Sequence, residues 1–158
     1  MIIGIDPGLN GAIVHFDPEA GHIDIFDMPV LEVRKKREVS PQLVSDILSQ
    51  FSESTIYLER VSARPGQGVS SMFNFGMSYG IIRGVAGGLK MKIELVTPQA
   101  WMTKMKVPSG KDASRQRAMD VFPAYSQSFA RKKDDGRSDA ALICMYGFLF
   151  GESVRNVR

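Results

Sequence analysis

Apolar residues fall in short alternating or continuous runs over the first third of the chain, then change to a helical rhythm. Residues 1–6 and 11–16 are Ile- and Val-rich runs separated by Pro7-Gly8-Leu9-Asn10-Gly11, and the Asn-Gly step is a hairpin signal because both residues accept positive φ. Two antiparallel strands are predicted. Ile23, Ile25 and Phe26 predict a third strand, which ends near Met28-Pro29 because proline cannot donate to a ladder. Glu32 to Glu38 reads as a charged loop. Ser40-Pro41 then supplies a helix cap and a first-turn proline, and Leu43, Val44, Ile47, Leu48 and Phe51 recur at helical spacing. The β-branched and aromatic run Thr55 to Glu59 predicts a fourth strand that ends on Glu59.

Arg60 to Gly68 reads as an irregular loop, followed by a helix from about Val69 to Leu89. In that helix Gly76, Gly80, Gly84 and Gly88 recur every fourth residue, each at a cost of roughly 1 kcal/mol against alanine. The stripe therefore needs a compensating contact. Close packing inside the chain is the first expectation and a subunit interface the second; Asn74 and Arg83 argue against a lipid-facing helix. Lys92 to Val96 predicts a fifth strand, Thr97-Pro98 caps a short helix through Trp101, and further helices are expected over residues 111–122 and 136–150. This order predicts a single α/β domain over residues 1–158, with a mixed five-stranded sheet flanked by helices in the ribonuclease H pattern.

Composition narrows the function classes. With 158 residues and 44% hydrophobic content, one packed domain is expected. The longest apolar stretches fall short of the roughly 20 residues needed to cross a bilayer, and the chain opens directly on a strand pattern without a signal-peptide profile. A cytoplasmic protein is expected. Cys144 is the one cysteine, so a disulfide framework and a cysteine-rich zinc site are both excluded, and Cys144 reads as a core residue. The net charge of +3 identifies no partner, but Lys104 to Lys133 carries eight basic side chains against Asp112 and Asp120. That segment suits a polyanion, although a solvated basic face has the same composition.

The candidate chemistry lies in four acids. Asp6 ends the first strand and Glu59 the fourth, so both sit where sheet meets turn; Asp135 and Asp139 are four apart and share a helix face if the last helix begins by Asp135. Four carboxylates in one volume repel unless some are protonated or a cation neutralises them, and an oxygen-only set favours Mg²⁺ or Mn²⁺. Two such ions about 3.5–4 Å apart suit phosphodiester hydrolysis. Taken singly, each acid also has an ordinary reading: Asp6 before Pro-Gly as a turn residue, Glu59 as a strand end, and Asp134, Asp135 and Asp139 as acids at the positive end of a helix.

Ile3-Gly4-Ile5-Asp6-Pro7-Gly8 with Gly11-Ala12, then Tyr57-Leu58-Glu59, then Gly136-Arg137-Ser138-Asp139-Ala140-Ala141 resemble the RuvC-type Holliday-junction resolvases over nearly the whole chain. Asp27-Met28-Pro29, the glycine-bearing helix and Lys132-Lys133 resemble the branch with phage and chloroplast enzymes. By position, Asp6 and Glu59 match the first two catalytic acids and Asp139 the last. The bacterial pattern sets the remaining acid three residues before the last, where this chain has Gly136; the chloroplast-like spacing of four selects Asp135, with Asp134 ranked below it.

The resemblance implies two ions, one held by Asp6 and Asp139 beside the attacking water and one between Asp6 and Glu59 beside the leaving 3′ oxygen. The products would carry 5′-phosphate and 3′-hydroxyl ends. It also implies a homodimer, which matches the two-fold symmetry of a four-way junction. Arg60 and Arg64 in the loop after Glu59 are expected to probe the crossover, while Lys104, Lys106, Lys111, Arg115, Arg131, Lys132 and Lys133 are expected to bind phosphates of the arms. Direct initiation on the first strand points to a bacterial or phage-infected cytoplasm. The rival readings are another ribonuclease H superfamily nuclease acting on RNA, branched or duplex nucleic acid, and a non-catalytic junction-binding module. A phosphate-loop kinase, suggested by Asp6-Pro7-Gly8, needs a second domain for which 158 residues leave no room.

Overall fold

The computed structural model describes residues 1–60, 62, 66 and 68–151. The expected meander forms: β1 (Ile2–Asp6) pairs antiparallel with β2 (Ala12–Asp17), and β2 with β3 (His22–Asp27). β6 (Thr55–Glu59) lies parallel to β1, and β7 (Ile93–Val96) parallel to β6, giving the order β3-β2-β1-β6-β7. The helices are α1 (Pro41–Leu48), α2 (Val69–Gly88), α3 (Pro98–Lys104), α4 (Ala113–Val121) and α5 (Asp135–Phe150). Ser40 and Thr97 cap α1 and α3, their side chains accepting from Leu43 N and Ala100 N at 3.2 Å. Helix α3 runs one turn past the expected Trp101, to Lys104.

Strand alternation sends apolar side chains to both faces of the sheet and makes two cores. Ile3, Ile5, Ile13, Ile56 and Leu58 pack with Val44, Leu48, Ile82 and Ala86 of α1 and α2. Ile2, Val14, Phe16 and Tyr57 pack with Trp101, Ala118 and the Ala140–Cys144 segment of α3, α4 and α5. At roughly 1.5–3 kcal/mol for each large aliphatic or aromatic side chain fully buried, these two layers hold the sandwich together. Cys144 is fully buried, and burial pushes its thiol above the usual range, as suits a core residue. No helix among the described residues is long and apolar enough to cross a membrane.

Two glycines let α5 lie directly on the backbone of the sheet. A Cβ at Gly4 would stand 2.2 Å from Ala140 O and 2.3 Å from Cys144 N, so β1 accepts α5 only because residue 4 has no side chain. At the start of α5, a Cβ on Gly136 would stand 2.1 Å from Asn10 O. The same contact explains why an acid at position 136 is absent: no side chain fits there.

Two expectations fail. The segment read as a charged loop is a hairpin, β4 (Val30–Val33) and β5 (Lys36–Val39). Its two-residue turn is Arg34-Lys35, at φ 51° and 64°, in place of the Asn or Gly that announces such a turn in sequence. Left-handed backbone costs a residue with a side chain roughly 1–2 kcal/mol, so the tip is locally unfavourable and the ladder supports it. The glycine stripe of α2 does not pack inside the chain. Ser78, Ile82 and Ala86 form the buried side of α2, whereas a Cβ at Gly76, Gly80, Gly84 or Gly88 would meet no atom of the described residues within 4 Å. The offset of two residues turns the stripe about 200° away from the buried side, onto the outer face.

Candidate active site

The parallel pairing of β1 with β6 brings the strand ends bearing Asp6 and Glu59 to one edge of the sheet, and the Gly136 contact sets the first turn of α5 against the β1–β2 turn. Asp139, one turn into α5, lies near enough for its charge, with that of Glu59, to act on Asp6. Burial, with the charges of Glu59 and Asp139, pushes the Asp6 carboxyl up to about 7 despite the hydrogen bond it accepts from Gly8 N at 3.1 Å. Burial also pushes Asp139 up to about 6, opposed by a hydrogen bond from Ser114 and assisted by the charges of Glu59 and Asp135. Oδ1 of Asp139 is buried without a hydrogen-bond partner among the described residues. Glu59 is held by Trp101, whose indole N–H donates to Oε1 at 2.9 Å.

Asp135 and Asp134 separate clearly. Asp135 is about half exposed and its carboxylate pairs with Arg115 Nε at 2.9 Å, so it reaches the cluster only through its effect on Asp139. Asp134 is buried at the turn before α5. Burial alone would raise its carboxyl, but Arg131 donates to it from its backbone N at 2.9 Å and from its guanidinium at 2.9 and 3.1 Å, holding it below the usual range. Asp134 is a structural cap.

The basic residues are used unevenly. Arg115 donates to Ala130 O at 3.0 Å and pairs with Asp112 and Asp135, leaving its side chain about one-tenth exposed, and Arg131 is tied to Asp134. Arg60, Lys104, Lys106, Lys111, Lys132 and Lys133 are exposed, with Lys104 over the Phe150 ring at 5.5 Å. Arg64 lies outside the described residues, as does most of the loop that carries it. Trp101, Ser114 and Asn10 escaped the sequence reading because their contacts with the site join positions distant in the chain; Glu59 and Trp101 are 42 residues apart.

Among the described residues no three carboxylate, imidazole or thiol groups converge closely enough to form a ready-made metal cage. The donor set nevertheless suits a hard divalent cation: it is all oxygen, two of its carboxyls are held well above their usual range by burial and the charge of Glu59, and one buried oxygen has no hydrogen-bond partner among the described residues.

No protein-family model and no curated protein matches this chain. Solved structures do. Thermus thermophilus RuvC in complex with a Holliday junction substrate is similar at a TM-score of 0.61 and 11% identity, over 95% of this chain and 96% of that one. The T. thermophilus RuvC structure gives 0.60 and 12%, over 94% and 95%. The yeast mitochondrial Holliday junction resolvase Ydc2 gives 0.54 and 14%, over 99% of this chain and 81% of that one. At such identities the likeness is one of fold: the chain shares the fold of these structures over nearly its whole length.

Proposed function

We propose that this chain is a structure-selective DNA endonuclease that resolves four-way junctions by metal-dependent phosphodiester hydrolysis, leaving 5′-phosphate and 3′-hydroxyl ends. The observation that carries the reading is that burial and neighbouring carboxylates raise both Asp6 and Asp139, Glu59 acting on each, which is more negative charge than a partly buried site holds unaided. Asp6, Glu59 and Asp139 would hold Mg²⁺, with Mn²⁺ as a substitute and two ions as the expected number, and Asp135 would join as the fourth acid on leaving Arg115. Bound there, divalent cations would supply a water acidic enough to give hydroxide as the nucleophile near neutral pH and a counter-charge for the leaving oxygen. Asp6 and Asp139 would release the protons that burial lets them keep near neutral pH. Trp101 keeps Glu59 from turning away, and the Gly8 amide orients Asp6.

The junction as substrate is supported by the fold shared with a RuvC bound to junction DNA and by the exposed Lys104, Lys106, Lys111, Lys132 and Lys133. A homodimer would present two sites to the two strands to be cut, and the bare glycine face of α2 suits the close approach of a second copy. An Asp6→Asn protein is expected to bind a four-way junction and to lose cleavage in Mg²⁺; junction cleavage by that variant refutes the assigned site. Competition of the junction against linear duplex and an RNA–DNA hybrid tests the substrate, and equal affinity for all three would favour another ribonuclease H superfamily nuclease.

A further inference from the structure

We propose that the β4–β5 hairpin is a DNA-gripping arm, with Arg34 and Lys35 at its tip and Arg37 two rungs from the turn bound to the phosphate backbone of a duplex arm leaving the cleavage site. This rests on the nuclease reading above. Residues 30–39 hold four basic side chains against Glu32 and Glu38, and Arg34 to Arg37 are all exposed. Glu32 stands opposite Arg37 in the ladder and offsets part of this charge, leaving the excess at the tip.

The hairpin is fixed to the active-site turn. Arg37 donates to Asn10 Oδ1 at 3.0 Å and to Leu9 O at 3.1 Å, Ser40 N donates to Pro29 O at 2.9 Å, and Val39 is buried. A cavity of ≈ 450 Å³ lies between the hairpin and the start of α5, lined by Arg37, Lys132 and Lys133 together with Asp27, Asp134 and Asp135. Each lining acid is paired with an arginine outside the lining: Asp27 with Arg137 at 2.5 Å, Asp134 with Arg131 at 2.9 Å, and Asp135 with Arg115 at 2.9 Å, the last shared with Asp112. The hydrogen bonds of Arg37 go to neutral carbonyl oxygens, so they leave its charge uncancelled. The lining itself balances three bases against three acids, but with Arg115, Arg131 and Arg137 behind those acids, and Asp112 set against Arg115, the charge around the cavity is net positive, which suits a phosphate. The tip itself departs from local preference: Arg-Lys occupies a turn that favours Asn-Gly, and such departures collect at functional positions.

That preference supplies the test. An Arg34→Asn/Lys35→Gly variant keeps, and favours, the same turn while removing two charges. Binding of the full chain to a labelled four-way junction and to a matched linear duplex, with EDTA present and salt varied from about 50 to 200 mM, is expected to weaken by roughly tenfold for both DNAs. The slope of log affinity against log salt should become shallower by roughly 2, at ~0.9 for each phosphate that is no longer neutralised. Arg34→Lys should bind like the parent protein, and Lys35→Gln should show about half of the slope change, which covers the case of a double variant that folds poorly. Unchanged affinity and slope in a folded double variant, or in Lys35→Gln, overturns the proposal. A parent protein that binds junction and duplex equally refutes junction selectivity while leaving the hairpin to be judged on the slope; a parent that binds no DNA overturns both.

Discussion

Replacing Asp6 with asparagine should make the protein more stable at alkaline pH while removing a candidate catalytic group. In the folded chain burial and the neighbouring acids raise Asp6 from 3.8 to about 7, so between those values the native state binds more protons than the unfolded state. Its stability is then full below about pH 4 and falls as pH rises toward 7. At ~1.36 kcal/mol for each pH unit, the interval from 3.8 to about 7 corresponds to ~4 kcal/mol. Asp139, raised to about 6, adds a penalty of the same kind, but both include repulsion from Glu59 and do not sum. Asparagine keeps the shape and still accepts from the Gly8 amide, so the gain at pH 8 without divalent ions is expected to be roughly 2–4 kcal/mol, or about 5–15 °C in melting temperature for a domain of this size. At pH 5 the unfolded Asp6 is already ionised while the native one is mostly protonated, so only ~1.6 kcal/mol of the penalty is present and the gap between the two proteins should be less than half of that at pH 8, closing near pH 4. Adding Mg²⁺ at pH 8 should raise the parent more than the variant, by mass action on the folded state. Thermal melts in EDTA and in Mg²⁺ at the two pH values read all of this. A variant that melts at or below the parent at pH 8 in EDTA, or a gap equal at both pH values, refutes the assigned burial of charge.

Three further outcomes are expected. Trp101→Phe keeps most of the ring volume but drops the N–H bond to Glu59 at 2.9 Å; single-turnover cleavage should slow by roughly 10- to 100-fold, from ~1.5–3 kcal/mol for a bond to a charged group, with junction affinity within about twofold. An unaltered rate removes Trp101 from the site. Gly136→Ala brings a methyl group to 2.1 Å from Asn10 O and should cost at least ~2 kcal/mol in urea unfolding, a loss that an unshifted midpoint would contradict. Gly80→Leu adds bulk where the chain itself offers no contact, so sedimentation should show dimer converting to monomer without a lower melting temperature of the monomer; a variant still dimeric places the interface elsewhere.

The meander, the two parallel strands and the helix starts were legible because each rests on local chemistry: β-branched runs and the Ser40-Pro41 and Thr97-Pro98 caps; the first hairpin forms, but across residues 7–11 and with neither Asn10 nor Gly11 at positive φ. That Asp6 and Glu59 end neighbouring parallel strands follows from those runs, and the place of Asp139 in the first turns of the last helix from its spacing after Asp135. The hairpin at residues 30–39 was hidden because Arg34-Lys35 carries none of the usual turn signal. Spacing shows that Gly76 to Gly88 share a face but not where that face points, which depends on the burial of Ser78, Ile82 and Ala86 two positions away. Spacing likewise brought Asp135 toward Asp139 without revealing that Arg115, twenty residues earlier, holds it. Pairings between distant positions leave no periodic trace, which is why Trp101 read only as part of a short helix.

The seam at Gly4 and Gly136 has a consequence for how such a site changes over time. Where helix and strand touch backbone to backbone, the span between Asp6 and Asp139 is a property of the main chain, as in a hinge whose two leaves share one pin. Side chains elsewhere can drift without retuning it. With position 136 closed to every residue but glycine, a fourth acid can enter from this helix only a full turn before Asp139, at its solvent end. That leaves a rigid pair at the centre and an adjustable member at the rim, where Arg115 of a different helix decides whether Asp135 is engaged.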